Sequence, residues 1–156
     1  MITLCTKTHV ARLKGMEVTA FLLNPTDAKY QRWWKGTHLA LHPVKGSRPG
    51  NGYLVYMDEF IGVRRVRMTG VVTESVPGKK ITWQLKKGVR LPVWLSLELA
   101  DDDEGVAIEH TIRAGFQGVG RILDPIFRIY LSEEFARDMD DHVKTEFVKL
   151  EDMLHR

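Results

Sequence analysis

The sequence predicts an α+β fold: a curved antiparallel sheet of about six to seven strands wrapped around one long C-terminal helix, with two short helices after the first strand. Three observations carry this. From Thr37 to Ala114 apolar and polar residues alternate in runs separated by short turns, the pattern of an antiparallel sheet with one apolar face. From about Gly120 to Leu154 the apolar spacing changes to the 3.6-residue period of a helix. Each region leaves one greasy face unpartnered, and laying the helix in the bend of the sheet covers both.

Ile2 to Val10 opens the chain as a strand rich in β-branched residues. Leu13 to Asn24 then shifts to helical spacing through Leu13, Met16, Ala20, Phe21 and Leu23, and Pro25 stops it. Thr26 to Trp34 forms a second short helix with Thr26 or Asp27 as cap and Tyr30, Trp33 and Trp34 on its bulky side, the tryptophans plugging the space between helix and sheet. Thr37 to Val44 is the next strand, and Lys45 to Gly52 is a Gly/Pro/Ser/Asn loop. Tyr53 to Phe60 and Val63 to Glu74 pair through a hairpin at Ile61-Gly62, and Val76-Pro77-Gly78 makes the following turn. Lys80 to Lys86, Leu91 to Ala100 and Val106 to Ala114 complete the meander, with Asp101 to Gly105 turning the chain before the last strand. Asp124-Pro125 suits a helix's first turn, since the carboxylate caps free N–H groups and the proline ring sacrifices no internal bond. Beyond it Ile126, Ile129, Tyr130, Phe135, Met139, Val143, Phe147, Leu150 and Leu154 make the buried face, and Glu133, Glu134, Arg137, Asp140, Asp141, Lys144, Lys149 and Glu151 the wet one.

A chain of 156 residues, 44% hydrophobic and 28% charged, is the size of one ordinary domain with room for a core and a cavity. Residues 1–16 lack a long apolar core and carry Lys7, His9, Arg12 and Lys14, so neither a signal peptide nor a membrane span is expected, and the protein is read as cytoplasmic. The lone Cys5 allows no internal disulfide and fits a reducing compartment. A net charge of +3 with basic pairs such as Lys79-Lys80 and Lys86-Lys87 at strand ends lacks the continuous stripe of a nucleic-acid surface.

Several short motifs carry a family likeness. They are Phe21-Leu22-Leu23-Asn24-Pro25, Tyr30-Gln31-Arg32-Trp33-Trp34, and Gly50-Asn51-Gly52 leading into a strand. Val76-Pro77-Gly78 before Ile81-Thr82-Trp83, the glycines Gly115, Gly118 and Gly120, and Arg121-Ile122-Leu123-Asp124-Pro125 extend the likeness over essentially the whole chain. With these the chain resembles the START-like helix-grip superfamily (SRPBCC), especially its polyketide cyclase/dehydrase and lipid-transport branch. The resemblance implies a deep cavity between sheet and helix that takes small apolar or amphipathic molecules. Its members include cyclases, carriers, receptors and allergens, so fold alone does not name an activity.

Strand parity supplies the candidate residues. His110 shares a face with Val106, Ile108 and Ile112, aiming an imidazole at the interior, where desolvation favours its neutral form. Trp33, Tyr53, Tyr56 and Trp83 are candidates for stacking or polar-tipped contacts, with the inward face of the strand from Tyr53 left open, and Phe135 and Met139 represent the helix side. His142 falls at the edge of the helix's buried stripe, a boundary position. His38 and His42 share a strand face but stand about 13 Å apart, too far to hold one ion, and there is no helical zinc motif or cysteine pair. No metal and no cofactor are expected. Asp58, Glu59, Arg64, Arg65 and Arg67 flank a hairpin and read as cross-strand ion pairs on the solvent face, with an arginine at the cavity mouth as the sharper alternative. Glu98 and Glu109 fall on outward parity, and the glycines from Gly115 to Gly120 lack a phosphate loop's lysine and serve as a corner.

The preferred function is binding or carriage of a lipid, isoprenoid or polyketide-like molecule. An enzyme of cyclase or dehydratase type, with His110 as acid or base, competes with it. An interaction module for a macromolecular partner is the third class, and oligomeric state is open, a homodimer included.

Overall fold

A computed structural model describes residues 1–116 and 118–156. The strands are β1 (Ile2–Ala11), β2 (His38–Pro43), β3 (Leu54–Ile61), β4 (Arg64–Val76), β5 (Lys80–Lys87), β6 (Val89–Asp101) and β7 (Gly105–Ala114). Among the described residues they form one antiparallel sheet in the order β1-β7-β6-β5-β4-β3-β2. Every neighbouring pair except β1–β7 joins strands that follow one another as strands in the chain, so the meander predicted from short turns is the observed topology. The β3–β4 turn is the two-residue loop Gly62-Val63, in which Gly62 adopts φ +58°, a conformation that suits the first position of a primed hairpin turn.

Two short helices, α1 (Gly15–Leu23) and α2 (Asp27–Trp33), follow β1. Asp101 accepts from the Gly15 N–H at 2.8 Å and Glu17 from the Lys14 N–H at 2.9 Å, tying down the start of α1. Thr26 caps α2 by accepting from the Lys29 N–H at 3.2 Å. At the other end of the chain a 3₁₀ turn (Gly118–Leu123) leads into α3 (Asp124–Tyr130) and then α4 (Glu133–Leu154), which packs on β1 and reaches β3 and α2. Phe135, Met139, Val143, Phe147 and Leu150 of α4 are buried against Ile81, Leu97, Ile108 and Ile112 of the sheet's apolar face.

The predicted continuous helix is therefore broken. Ser132 sits at φ −65°, ψ 165° and its hydroxyl accepts from the Phe135 N–H at 3.2 Å, so the local side-chain bond restarts the helix instead of continuing it. Ile126, Ile129 and Tyr130, expected on the buried face, are on α3 and are 51%, 76% and 65% exposed. The break puts them out of phase with the stripe on α4. Glu151, expected on the wet face, is buried, where it accepts from Arg12 and from His155. The corner predicted for Gly115 to Gly120 contains Gln117, which lies outside the described residues. Among the described residues no helix is long and apolar enough to cross a membrane.

Candidate functional site

Between the sheet and α4 lies a cavity of about 100 Å³. Its wall is apolar through Leu41, Val55, Met57, Met68, Leu85, Leu95, Leu97 and Phe147, and Trp33, Trp83 and His110 also face it. Tyr30, Glu59 and Glu146 bring a polar group to the same space. Tyr53, Tyr56, Phe135 and Met139, proposed from sequence as contacts, are not on this wall. Val55, Met57 and Glu59 set the inward parity of β3, which sends Tyr56 to the other face, where its ring lies 5.2 Å from that of His42. Tyr53 is buried in the core just before β3 begins. Phe135 and Met139 occupy the first turns of α4, while the cavity is roofed by Glu146 and Phe147 further along; Phe135 instead lies under the Arg64 guanidinium, 5.0 Å from its ring centre.

At the polar end, four side chains from three elements converge. His38 and Glu59 are register partners across β2 and β3 and so stand side by side. His142 and Glu146 are four residues apart on α4 and project from one face of it. His38 Nε2 lies 3.6 Å from Glu59 Oε2 and 3.6 Å from Glu146 Oε2, and His142 Nε2 lies 3.5 and 3.4 Å from the same two oxygens. All four residues are buried, His38 completely.

The local sequence explains this only in part. A bulge between His38 and Ala40 shifts the parity of β2, so that His38 and Leu41 both face inward while His42 faces out and pairs with Asp27 at 2.8 Å. His38 and His42, expected to share a face, therefore do not. His142 is an interior residue and not a boundary one, because Trp34, at the end of α2, stacks over its ring. Glu59, assigned to the solvent face with Asp58, alternates with Asp58 and points the other way. The predicted ion pairing belongs to Asp58, which accepts two bonds from Arg65 at 2.9 and 2.7 Å and whose carboxyl is held below the usual range by that guanidinium. Glu146 is not marked by any motif in the sequence. Its signal was an acid four residues after His142, with Val143, Phe147 and Leu150 marking that side of the helix as buried.

Aromatic side chains from α2 and its end wall the imidazoles. Tyr30 stacks on His38 at 4.0 Å between ring centres and an angle of 5°, Trp33 meets His38 edge-on at 4.6 Å, and Trp34 stacks on His142 at 4.8 Å. Trp33 thus plugs the interior as expected, while Trp34 is only half-buried where it covers His142. Tyr30 donates its hydroxyl to Glu59 Oε2 at 2.5 Å, and Trp33 donates its indole N–H to the Glu146 backbone carbonyl at 2.5 Å. Burial and the neighbouring carboxylates of Glu59 and Glu146 hold the Tyr30 hydroxyl protonated, well above its ordinary pKa.

Electrostatics sorts the remaining groups. Burial opposes charge on His142, but Glu146 and Glu59 outweigh it and raise the imidazole's pKa. Burial likewise opposes charge on Glu146, and His142 with His38 outweighs it and lowers that carboxyl. His110 is different. Burial pushes its pKa below the ordinary value, only partly countered by Glu146 and Glu59, so it faces the cavity as a neutral ring.

No protein-family model and no curated protein matches the chain. Solved structures do. A protein of Thermus thermophilus is 14% identical with a TM-score of 0.65, over 98% of this chain and 97% of that one. A protein of unknown function from Staphylococcus aureus is 5% identical with a TM-score of 0.61, over 99% and 98%. The major latex-like protein 151 of Panax ginseng is 12% identical with a TM-score of 0.56, over 90% and 96%. The fold is the helix grip. At such identities the likeness establishes the helix-grip architecture and leaves activity to the site itself.

Proposed function

We propose that this helix-grip chain binds a small apolar or amphipathic molecule between its sheet and α4, with the apolar wall taking the hydrocarbon part and the polar end taking an oxygen-bearing group. The observation that carries the reading is the apolar cavity between sheet and α4 that ends on Tyr30, Glu59 and Glu146. Pockets for drug-sized ligands run to about 300–1,000 Å³, so about 100 Å³ suits a small fragment as it stands. A lipid, isoprenoid or polyketide-like ligand requires the wall to yield, and Met57 and Met68 are the side chains there with the most rotamers to spare.

Native mass spectrometry with solvent extraction of the purified chain tests this directly. A co-purifying small molecule, displaced by a fluorescent fatty acid and lost in a Leu95→Phe variant that narrows the wall, is the expected result. A chain that is always empty and binds the probe equally well with Leu95→Phe overturns it.

The second reading is an enzyme of cyclase or dehydratase type. What favours it is that neutral His110 faces the same cavity as Tyr30, Glu59 and Glu146, so a proton acceptor and a hydroxyl donor line one space. A His110→Gln variant that still binds ligand but leaves it chemically unchanged, where the parent chain converts it, distinguishes the two.

A further inference from the structure

We propose that His38, Glu59, His142 and Glu146 form a binding site for one divalent transition-metal ion of borderline softness, the class to which zinc belongs. Two imidazoles and two carboxylates are a donor set such ions accept. One ligand atom from each residue can be chosen so that all lie within 4.8 Å of one another. The four nitrogen-to-oxygen separations of 3.4 to 3.6 Å are informative in themselves. They are too long for good hydrogen bonds. Ligands bound at about 2.0–2.2 Å around a tetrahedral ion stand about 3.3–3.6 Å apart, because each edge is about 1.63 times the bond length. The four imidazole-to-carboxylate separations match those edges, and the whole set spans no more than 4.8 Å, so the donors surround one centre in a flattened arrangement that an ion would draw together.

An independent observation points the same way. Nε2 of His38 and Nε2 of His142 are buried and make no hydrogen bond among the described residues. Unpaired polar atoms in an interior are costly, and an ion at the centre of the cluster engages both. Nδ1 of His38 also lacks a partner among the described residues, a fact the ion does not change. The surroundings match a built site: Tyr30 bonds the Glu59 carboxylate, and the stacked rings of Tyr30 and Trp34 hold the two imidazoles in place. The inference shares Glu59 and Glu146 with the polar end of the cavity but does not require an organic ligand there.

The test uses the full chain, stripped with a chelator and titrated with zinc chloride in a calorimeter and with cobalt chloride in a spectrophotometer. The expected result is one equivalent bound, visible ligand-field bands for cobalt, and a melting temperature that rises until one equivalent has been added. Glu146→Gln keeps the side chain's shape and is expected to weaken zinc binding by at least about 100-fold, with His142→Ala doing the same. His42→Ala, on the outer face of β2, is expected to change nothing. Zinc binding weaker than about 10 μM, or tighter binding that survives both Glu146→Gln and His142→Ala, overturns the proposal. Because no organic ligand enters the experiment, an empty cavity in the extraction test leaves this outcome unaffected.

Discussion

Replacing Tyr30 by phenylalanine isolates one hydroxyl at the centre of the site. The ring is retained, so its stacking on His38 at 4.0 Å and its edge contact with Trp33 are kept. What disappears is the donor to Glu59 Oε2, leaving a buried carboxylate with one bond fewer. A hydrogen bond to a charged group contributes about 1.5–3 kcal/mol. In a chain of this length each kcal/mol moves the melting temperature by about 2–4 °C, so the variant should melt about 3–12 °C below the parent. Urea unfolding in the presence of a chelator measures it free of metal effects. A double-mutant cycle with Glu59→Gln then shows whether the loss belongs to this pair. A change below about 0.5 kcal/mol, or a loss that remains when Glu59 is already glutamine, refutes the reasoning.

Three further outcomes follow from other parts of the molecule. Ser132→Ala should cost about 1 kcal/mol in urea unfolding and Ser132→Gly only a few tenths, because the hydroxyl supplies the cap that restarts the helix before α4; equal losses would contradict that role. Phe147→Ala, at a side chain 1% exposed, should cost about 3–5 kcal/mol and enlarge the cavity it borders, and a loss below about 1 kcal/mol would mean that α4 is not gripped by the sheet there. His155 bonds Glu17 at 2.7 Å and Glu151 at 3.1 Å, and these acids raise its pKa. Its folded value exceeds the unfolded one of about 6.5, so its contribution is full below that pH and fades as pH rises through the folded value. NMR titration of the ring should give a pKa above the unfolded value, and His155→Gln should remove that part of the pH slope between the two; an unshifted ring would refute the linkage.

Much of the architecture was legible because it rests on short-range periodicity. The parity of Leu91 to Ala100 and of Val106 to Ala114 put Leu97, Ile108, His110 and Ile112 indoors, where the structure has them. The turns at Gly62 and Gly78 were visible for the same local reason. Residues facing the cavity were legible where that periodicity ran undisturbed, as at His110 and Trp83, and at the bulky Trp33. At β2 a single bulge reversed the parity, and one residue of slip moves a side chain to the opposite face. At Ser132 a hydroxyl broke a helix whose apolar spacing continued through it.

By itself the sequence determined which stretches alternate and which repeat with helical period, and therefore that an apolar sheet face and an apolar helix face had to meet. Whether they meet flush was not written there. Register between β2 and β3 brought His38 beside Glu59, and the docking of α4 carried His142 and Glu146 onto the same spot from the far end of the chain. Such a cluster depends on where elements cross in space, and hydrophobic burial, which drives that crossing, is blind to the polar residues it brings together.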